Sequence, residues 1–138
     1  MGRVGLGEYL LNSAEETFFF GKEMATHLPQ NAILALSGNL GAGKTTFVQG
    51  LAAGLGIQEQ IQSPTFILLN LYNKLAHFDL YRLKTVEDFI NLGFDEYFSA
   101  DIICTIEWPQ RIWDILPKQT IHIYFEYEQE RRIAKVLS

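Results

Sequence analysis

Residues 38–45 read Gly38-Asn39-Leu40-Gly41-Ala42-Gly43-Lys44-Thr45 and match the phosphate-binding pattern G-x-x-x-x-G-K-[ST]. Small residues let the backbone curl so that successive N–H groups point inward, which makes a cradle for anionic phosphates. The pattern assigns Lys44 to the β- and γ-phosphates and the Thr45 hydroxyl to Mg²⁺. We therefore predict that these eight residues, together with Thr46, bind a nucleoside triphosphate and magnesium.

The flanking segments match the context that a phosphate loop requires, a strand before it and a helix after it. Ala32–Leu36 is a continuous apolar run, typical of a parallel strand that is buried on both faces. Thr46–Leu55 carries apolar residues at helical spacing, and Gly56 is suited to end the helix. A glycine-rich surface turn is the alternative interpretation, and the order strand, loop and helix argues against it.

Composition limits the class of protein. With 138 residues the chain is long enough for one domain with a substantial core, and a hydrophobic fraction of 48% indicates an ordered globular protein. The net charge of −5 argues against tight autonomous binding to nucleic acid, which depends on lysine and arginine. Any contact with a nucleic acid is therefore expected to run through a partner.

Cysteine content and apolar runs predict the compartment. Cys104 is the one cysteine of the sequence and lies in an apolar run, so we expect a buried thiol and no internal disulfide. The first seven residues lack the apolar core of a signal peptide, and no stretch approaches 18 apolar residues. We expect a cytoplasmic protein with no membrane segment.

The order of elements predicts an α/β fold, namely a single P-loop NTPase domain over residues 1–138. We expect a central, largely parallel sheet, an antiparallel hairpin and flanking helices. The predicted elements are a helix capped by Ser13 that runs to about His27, a hairpin of Phe66–Tyr72 and Leu75–Leu80 around Asn73-Lys74, a helix from Thr85 to about Gly93, and strands Ile102–Ile106, Thr120–Tyr127 and Arg132–Leu137, the last as a closing edge strand.

A second carboxylate is needed beside a phosphate loop to hold Mg²⁺ directly or through water. Glu107 directly follows the apolar strand Ile102–Ile106 and is the candidate. An acidic residue at the end of a strand is otherwise a solvated terminus. Because Lys44 and Thr45 are present, we interpret Glu107 as a metal ligand.

The segment His77-Phe78-Asp79-Leu80-Tyr81-Arg82 contains the next candidates. Strand alternation places His77, Asp79 and Tyr81 on one face. Asp79 could orient the attacking water or support the metal, and the alternative is a surface acid paired with Arg82 or a lysine. His77 is interpreted as structural.

Further candidates lie in the loops. Thr65, within Ser63-Pro64-Thr65-Phe66, could contact the metal or the γ-phosphate, and an ordinary turn before a strand is the alternative. Trp108 could stack on a base or wall the site, or it could pack in the core. The guanine-selective pattern Asn-Lys-x-Asp is missing, which favours ATP over GTP, and nothing resembles a zinc site or a nucleophile elbow. Four arginines are candidates for charge stabilisation: Arg82, Arg111, Arg131 and Arg132.

Four blocks, in this order and at this chain length, resemble the TsaE family, also called YjeE. The resemblance runs from about Ser13 to Tyr127. The blocks are Gly38-Asn39-Leu40-Gly41-Ala42-Gly43-Lys44-Thr45-Thr46, Ser63-Pro64-Thr65-Phe66, His77-Phe78-Asp79-Leu80-Tyr81-Arg82-Leu83 and Ile106-Glu107-Trp108-Pro109.

The resemblance implies a P-loop fold and a weak ATPase required to make N6-threonylcarbamoyladenosine in tRNA, acting with TsaD and TsaB. It implies metal ligands at Thr45 and Glu107, the phosphate lysine at Lys44, a switch-like threonine at Thr65 and a functionally important aspartate at Asp79. It also implies ATP and Mg²⁺ as cofactors and an indirect contact with tRNA. The connection between Tyr72 and His77 is shorter than in other members of the family, so we expect a tight hairpin.

We therefore expect a slow ATPase that regulates a TsaD/TsaB transfer complex. One alternative is a small-molecule kinase, which should carry an arginine-rich lid, and the sequence contains no such insertion. The other is a non-hydrolysing binding module, in which ATP merely orders the loop around Thr65. The sequence leaves the oligomeric state and the source of any arginine finger open.

Overall fold

The computed structural model describes residues 6–38, 43–62, 68–128 and 131–138. They form a single α/β domain around one seven-stranded sheet. The strands are β1 (Gly7–Leu11), β2 (Ile33–Gly38), β3 (Leu69–Tyr72), β4 (Leu75–Asp79), β5 (Ile103–Glu107), β6 (Ile121–Glu128) and β7 (Arg131–Leu137). The helices are α1 (Ala14–Ala25), α2 (Lys44–Gly54) and α3 (Val86–Asn91), with 3₁₀ helices at Phe94–Ser99 and Pro109–Ile115. None of the helices in these ranges is long and apolar enough to cross a membrane.

The strand order is β1-β7-β6-β2-β5-β4-β3. The neighbours β6, β2, β5 and β4 are parallel, which confirms the predicted parallel centre. β3 pairs with β4, and β7 pairs with β6, in antiparallel fashion. The prediction that β7 closes the sheet was wrong, because β1 pairs antiparallel to it on the outside, from Gly7 opposite Val136 to Leu11 opposite Arg132.

Apolar cores cover both faces of the sheet. One core lies between the sheet and the helices α1 and α2, and it includes Leu36, Phe47 and Phe125. The other lies under α3 and the 3₁₀ helices, and it includes Phe78 and Ile106. Residues 33–36 of β2 are buried throughout, so the prediction of a parallel strand covered on both faces is confirmed.

Local hydrogen bonds fix the N-terminal ends of α1 and α3, as the sequence indicates. The Ser13 hydroxyl accepts the Glu16 N–H at 3.1 Å, and the Glu16 carboxylate accepts the Asn12 N–H at 3.1 Å. The Thr85 hydroxyl accepts the Asp88 N–H at 3.1 Å. These bonds satisfy N–H groups that have no partner within the helix, so the predicted starts of α1 and α3 are confirmed.

Helices α1 and α2 touch backbone to backbone. A Cβ atom on Gly50 would collide with the carbonyl oxygen of Phe18, and one on Gly21 would collide with that of Phe47. Only glycine permits this approach. The contact fixes the helix that follows the phosphate loop directly against α1.

The β3–β4 hairpin turns through Asn73-Lys74, with Lys74 in the left-handed region at φ 71°, which confirms the tight connection. The expectation that Tyr81 shares a strand face with His77 and Asp79 was wrong, because β4 ends at Asp79. The chain turns there, since the Asp79 carboxylate accepts the Tyr81 N–H at 3.1 Å.

Candidate nucleotide and metal site

The carboxyl ends of three parallel strands meet at one edge of the sheet. Leu36 of β2 lies opposite Glu107 of β5, and Asp79 of β4 lies opposite the same residue on its other side. Gly38, the first residue of the phosphate-binding pattern, ends β2. Ligands of open α/β sheets bind outside the carboxyl ends of the strands, so this edge is the expected place for a site.

Lys44 opens α2, and its side chain extends to the end of β2. The Nζ atom donates a hydrogen bond to the Gly38 carbonyl oxygen at 2.9 Å and lies 4.0 Å from Glu107 Oε1. It also lies 5.6 Å from the centroid of the Trp108 ring, within reach of a cation–π contact. A nearly buried ammonium group is thereby held at the carboxyl edge of the sheet by a carbonyl, a carboxylate and an aromatic ring.

Glu107 is buried and keeps unused capacity to accept bonds. Its Oε2 atom lies 3.3 Å from His77 Nε2, but the angles do not meet hydrogen-bond geometry, and within the described ranges this buried oxygen has no hydrogen-bond partner. A buried carboxylate with no hydrogen bond at Oε2 from the described residues and only a 4.0 Å contact with Lys44 at Oε1 is a suitable ligand for a hard cation such as Mg²⁺. The donor set therefore fits the metal ion that a phosphate loop requires.

Asp79 is half-buried beside Glu107, at the end of the neighbouring strand. Burial is the main cause that raises the pKa of Asp79, and the negative charge of Glu107 acts in the same direction. The Tyr81 N–H, His77 and Lys44 oppose this rise. Two carboxylates at adjacent strand ends repel each other, and a divalent cation would relieve that repulsion.

A cleft of about 180 Å³ lies beside the start of α2. Its described lining residues come from both ends of the chain as well as from the centre: Ala14, Thr17, Gly43, Lys44, Thr45, Thr46, Glu107 and Arg132. Gly43 takes φ 106°, and a Cβ atom there would lie 3.3 Å from Thr17 Cγ2. The left-handed backbone angle therefore favours glycine at the loop end, and a Cβ atom there would also be tight against Thr17.

The structure brings most of the described candidate residues together. Gly43, Lys44, Thr45, Thr46 and Glu107 surround the cleft, as the sequence predicts. Gly38 and Asp79 lie at the adjoining strand ends. The candidates Asn39, Leu40, Gly41, Ala42 and Thr65 lie outside the described residues, and their roles stay predictions.

Trp108 has a different position from the other candidates. Its ring packs against Tyr81, with 4.9 Å between the ring centroids, and faces Lys44. Trp108 is not among the described residues that line the cleft. The residue takes left-handed backbone angles with φ 58°, where the chain leaves β5. A contact between Trp108 and a base stays a prediction.

Of the four candidate arginines, Arg132 lines the cleft. Its guanidinium carbon lies 5.6 Å from the centroid of the Tyr127 ring. Arg82 instead borders a surface groove next to α3, and Arg111 and Arg131 are exposed. Pairing of β1 with β7 puts Arg132 opposite Leu11, just before α1, and sequence patterns do not report such long-range pairing.

Sequence patterns did not assign three residues to the site that the structure places near it. Ala14 and Thr17 line the cleft from the first turns of α1. The cap at Ser13 located that helix end but gave no sign that it faces the phosphate loop. His77, interpreted as structural, is buried and approaches Glu107, and only the register of β4 against β5 reveals this contact.

Comparisons with known proteins point to one family. A sequence model described as "Threonylcarbamoyl adenosine biosynthesis protein TsaE" matches residues 11–134. The chain is 45% identical to the Treponema pallidum "tRNA threonylcarbamoyladenosine biosynthesis protein TsaE", covering 80% of this chain and 84% of the relative. It is 37% identical to the protein of the same description from Haemophilus influenzae, covering 86% and 81%. The crystal structure of Bacillus subtilis YdiB superposes with a TM-score of 0.78 at 32% identity, covering 96% of this chain and 85% of that one.

Proposed function

The chain belongs to the TsaE family of tRNA threonylcarbamoyladenosine biosynthesis, and we propose that it is a Mg²⁺-dependent ATPase that regulates a TsaD/TsaB transfer complex. The observation that carries the proposal is the placement of Lys44 and Glu107. Lys44, the first residue of α2, carries a buried positive charge 4.0 Å from the buried carboxylate of Glu107 at the end of β5. We propose the cytoplasm as its compartment.

Phosphate binding follows from the start of α2. The first N–H groups of this 11-residue helix lack partners within the helix, and the positive end of its dipole favours an anion. The Lys44 ammonium adds a full positive charge beside them. We assign the β- and γ-phosphates to this position, and the phosphate-binding pattern predicts further backbone N–H donors from residues 38–43.

Thr45 and Glu107 are the residues that would hold Mg²⁺. Thr45 offers a hydroxyl on the cleft side of α2, and Glu107 offers a carboxylate from the end of β5. When bound, the metal ion would draw negative charge from the phosphate oxygens.

Hydrolysis would proceed by in-line attack of water on the γ-phosphorus. The new bond joins the water oxygen to phosphorus while the bond to the bridging oxygen of ADP breaks, and the protons of the water pass to the released phosphate and to solvent. Charge spreads over the phosphoryl oxygens in the transition state, where Lys44 stabilises it. Asp79 lies where its carboxylate could accept a hydrogen bond from the attacking water or from a water bound to the metal.

We propose that the isolated chain turns over slowly because the attacking water is fixed only in the assembled complex. Fast phosphoryl transfer to water requires a fixed nucleophile and a cationic group beside the γ-phosphate. Arg132 is the arginine that lines the described part of the cleft. We propose that assembly with TsaD-like and TsaB-like partners completes the site and that tRNA is reached through that complex.

ATP turnover in the presence and absence of the two partners and tRNA tests the proposal. Lys44→Ala and Glu107→Ala should each abolish turnover and tRNA modification, since they remove the phosphate cation and the metal ligand. Lys118→Ala, at an exposed position in the turn before β6, serves as the matched control. Normal Mg²⁺-dependent activity of either site variant would refute the assignment.

Two further measurements separate the alternatives. A non-hydrolysable ATP analogue that sustains repeated rounds of modification would show that the chain is a binding module. Phosphate transfer to a small-molecule hydroxyl in an acceptor screen would show that it is a kinase.

A further inference from the structure

The parallel register of β4 and β5 places two pairs of polar residues opposite each other behind the cleft. His77 lies opposite Thr105, and Asp79 lies opposite Glu107. Because side chains alternate along a strand, these four residues share one face of the sheet. It is the face of α1 and α2, since Leu75 and Ile103, two residues earlier in each strand, belong to the core on that side.

His77 has a polar contact on each ring nitrogen, although the residue is only 1% exposed. Its Nδ1 atom lies 2.8 Å from the Thr105 hydroxyl, and its Nε2 atom lies 3.3 Å from Glu107 Oε2. The Nδ1 contact is a hydrogen bond, whereas the Nε2 contact still lacks alignment. The imidazole therefore lies between a fixed hydroxyl and a carboxylate.

Chemistry assigns the direction of the two contacts. An ionised carboxylate only accepts hydrogen bonds, so the nitrogen that faces Glu107 must carry the proton. In a neutral ring Nδ1 is then an acceptor, and the Thr105 hydroxyl can donate to it. The hydroxyl thus selects the tautomer with an Nε2–H directed at Glu107.

We infer that His77 is a positioning residue for Glu107, and that Thr105 and His77 together hold the Glu107 carboxylate ready for the metal ion. The inference rests on the proposed function, because it takes Glu107 as a metal ligand. Oε2 lies next to His77 and Oε1 lies next to Lys44, and both Lys44 and Glu107 line the cleft. Glu107 has three rotatable side-chain bonds, so a carboxylate that is fixed beforehand loses less freedom when it binds a cation.

A purely structural histidine would be satisfied differently. Thr105 alone supplies one partner for a buried imidazole, and the second nitrogen could then face any carbonyl or hydroxyl. Instead it faces the oxygen of Glu107 that has no hydrogen-bond partner in the described part of the chain. His77 Nε2 can donate a hydrogen bond, and Glu107 Oε2 is an acceptor that lacks a donor among the described residues. This match indicates that His77 orients the Glu107 carboxylate.

The test compares two substitutions of His77 that keep different halves of the contact. In His77→Gln the terminal amide nitrogen stands near the place of Nε2 and can still donate to Glu107. In His77→Asn the side chain is shorter and reaches Thr105 only. ADP binding is measured by calorimetry in EDTA and over a Mg²⁺ titration, so that the readout is metal-dependent affinity and not turnover.

We expect His77→Asn to lower the apparent Mg²⁺ affinity by about 10- to 100-fold, the usual effect of removing a group that supports a metal ligand. Its ADP affinity in EDTA should match that of the wild type, and His77→Gln should recover most of the loss. Equal Mg²⁺ dependence in His77→Asn and wild type would overturn the inference. A loss of ADP affinity in EDTA that is the same in both variants would also overturn it, because that pattern indicates a general structural defect.

A second pair of variants keeps the inference testable if His77 variants fold poorly. Thr105→Val removes the hydroxyl with little change in volume, and Thr105→Ser retains it. We expect the Mg²⁺ affinity to fall in Thr105→Val and to be retained in Thr105→Ser, and equal values would contradict the inference.

The role of His77 and the ATPase activity are tested by different measurements. If the wild type hydrolyses no ATP, the Mg²⁺ titration with ADP can still be measured. The role of His77 is therefore judged independently of the ATPase proposal. Wild-type ADP binding that does not respond to Mg²⁺ would remove Glu107 as a metal ligand and overturn both.

Discussion

Lys44 Nζ and Glu107 Oε1 lie 4.0 Å apart, and each side chain is only 9% exposed. A buried ion pair is costly to break from one side, because the remaining charge is left without compensation, at about 3–5 kcal/mol. Removing both charges avoids that penalty. Lys44 and Glu107 should therefore be coupled in stability as well as in function.

We predict that Lys44→Met and Glu107→Gln each lower the free energy of unfolding, and that the double variant loses clearly less than the sum. A coupling of about 0.5–3 kcal/mol is expected for residues in contact. Urea unfolding of the four proteins without nucleotide or Mg²⁺ measures it. Strict additivity would show that the two charges do not interact.

Asp79 should make stability depend on pH in a defined direction. Burial raises the pKa of Asp79 above its ordinary value of 3.8, so the folded protein binds this proton more tightly than the unfolded chain. The resulting stabilisation is present below pH 3.8 and is lost as the pH rises through the folded-state pKa. At pH 7 the ionised carboxylate therefore opposes folding.

We predict that Asp79→Asn has a higher Tm than wild type at pH 7 and that the difference shrinks towards pH 3. The asparagine side chain keeps an oxygen that can accept the Tyr81 N–H. Thermal unfolding without Mg²⁺ at several pH values checks this, with Asp114→Asn at an exposed position as the control. A lower Tm for Asp79→Asn at pH 7 would show that ion-pair contacts outweigh burial.

Cys104 should be inert in the folded protein. It is fully buried, and burial raises the pKa of its thiol to about 12. The thiolate is the reactive form, so it is scarce at pH 8 and also inaccessible. We predict no reaction with a chromogenic disulfide reagent in native buffer and one thiol per chain in 6 M guanidinium; rapid native labelling would indicate local opening of β5.

Gly50 should not tolerate a side chain, although it lies inside a helix. Helix propensity alone favours Gly→Ala by about 1 kcal/mol. The added Cβ atom would collide with the backbone oxygen of Phe18, which cannot rotate away. Overpacking typically costs about 1–3 kcal/mol, so the collision outweighs propensity.

We therefore predict that Gly50→Ala lowers the free energy of unfolding and also weakens ADP binding, because it displaces α2 and the loop end. Urea unfolding and calorimetry measure the two effects. Ala53→Gly, on the same helix, is the matched control and should lose only the propensity term of about 1 kcal/mol. A stabilised Gly50→Ala variant would disprove the close contact of the helices.

Sequence patterns predicted those parts of the site whose determinants are local. A few neighbouring residues are enough to recognise the apolar strand, the phosphate-binding pattern and the acid that ends β5. Lys44 and Glu107 lie where they were expected. The N-cap of α1 could be predicted for the same reason.

The features that sequence patterns left open or missed depend on contacts between distant segments. Arg132 reaches the cleft because β7 pairs with β1, and His77 meets Glu107 because of the β4–β5 register. The prediction from strand alternation was wrong at Tyr81, because the strand ends where the Tyr81 N–H donates a hydrogen bond to the Asp79 carboxylate. Periodicity within one segment carries no information about either kind of contact.

The alternation of β4 and β5 has a consequence for how these strands can change. His77 and Asp79 lie on the sheet face of α1 and α2, while Phe78 between them fills the opposite core, and Glu107 and Ile106 divide in the same way. Deleting or inserting one residue in either strand would exchange the two sets, placing aromatic and aliphatic groups in the cleft and polar groups in the apolar layer. The length of these two strands is therefore fixed.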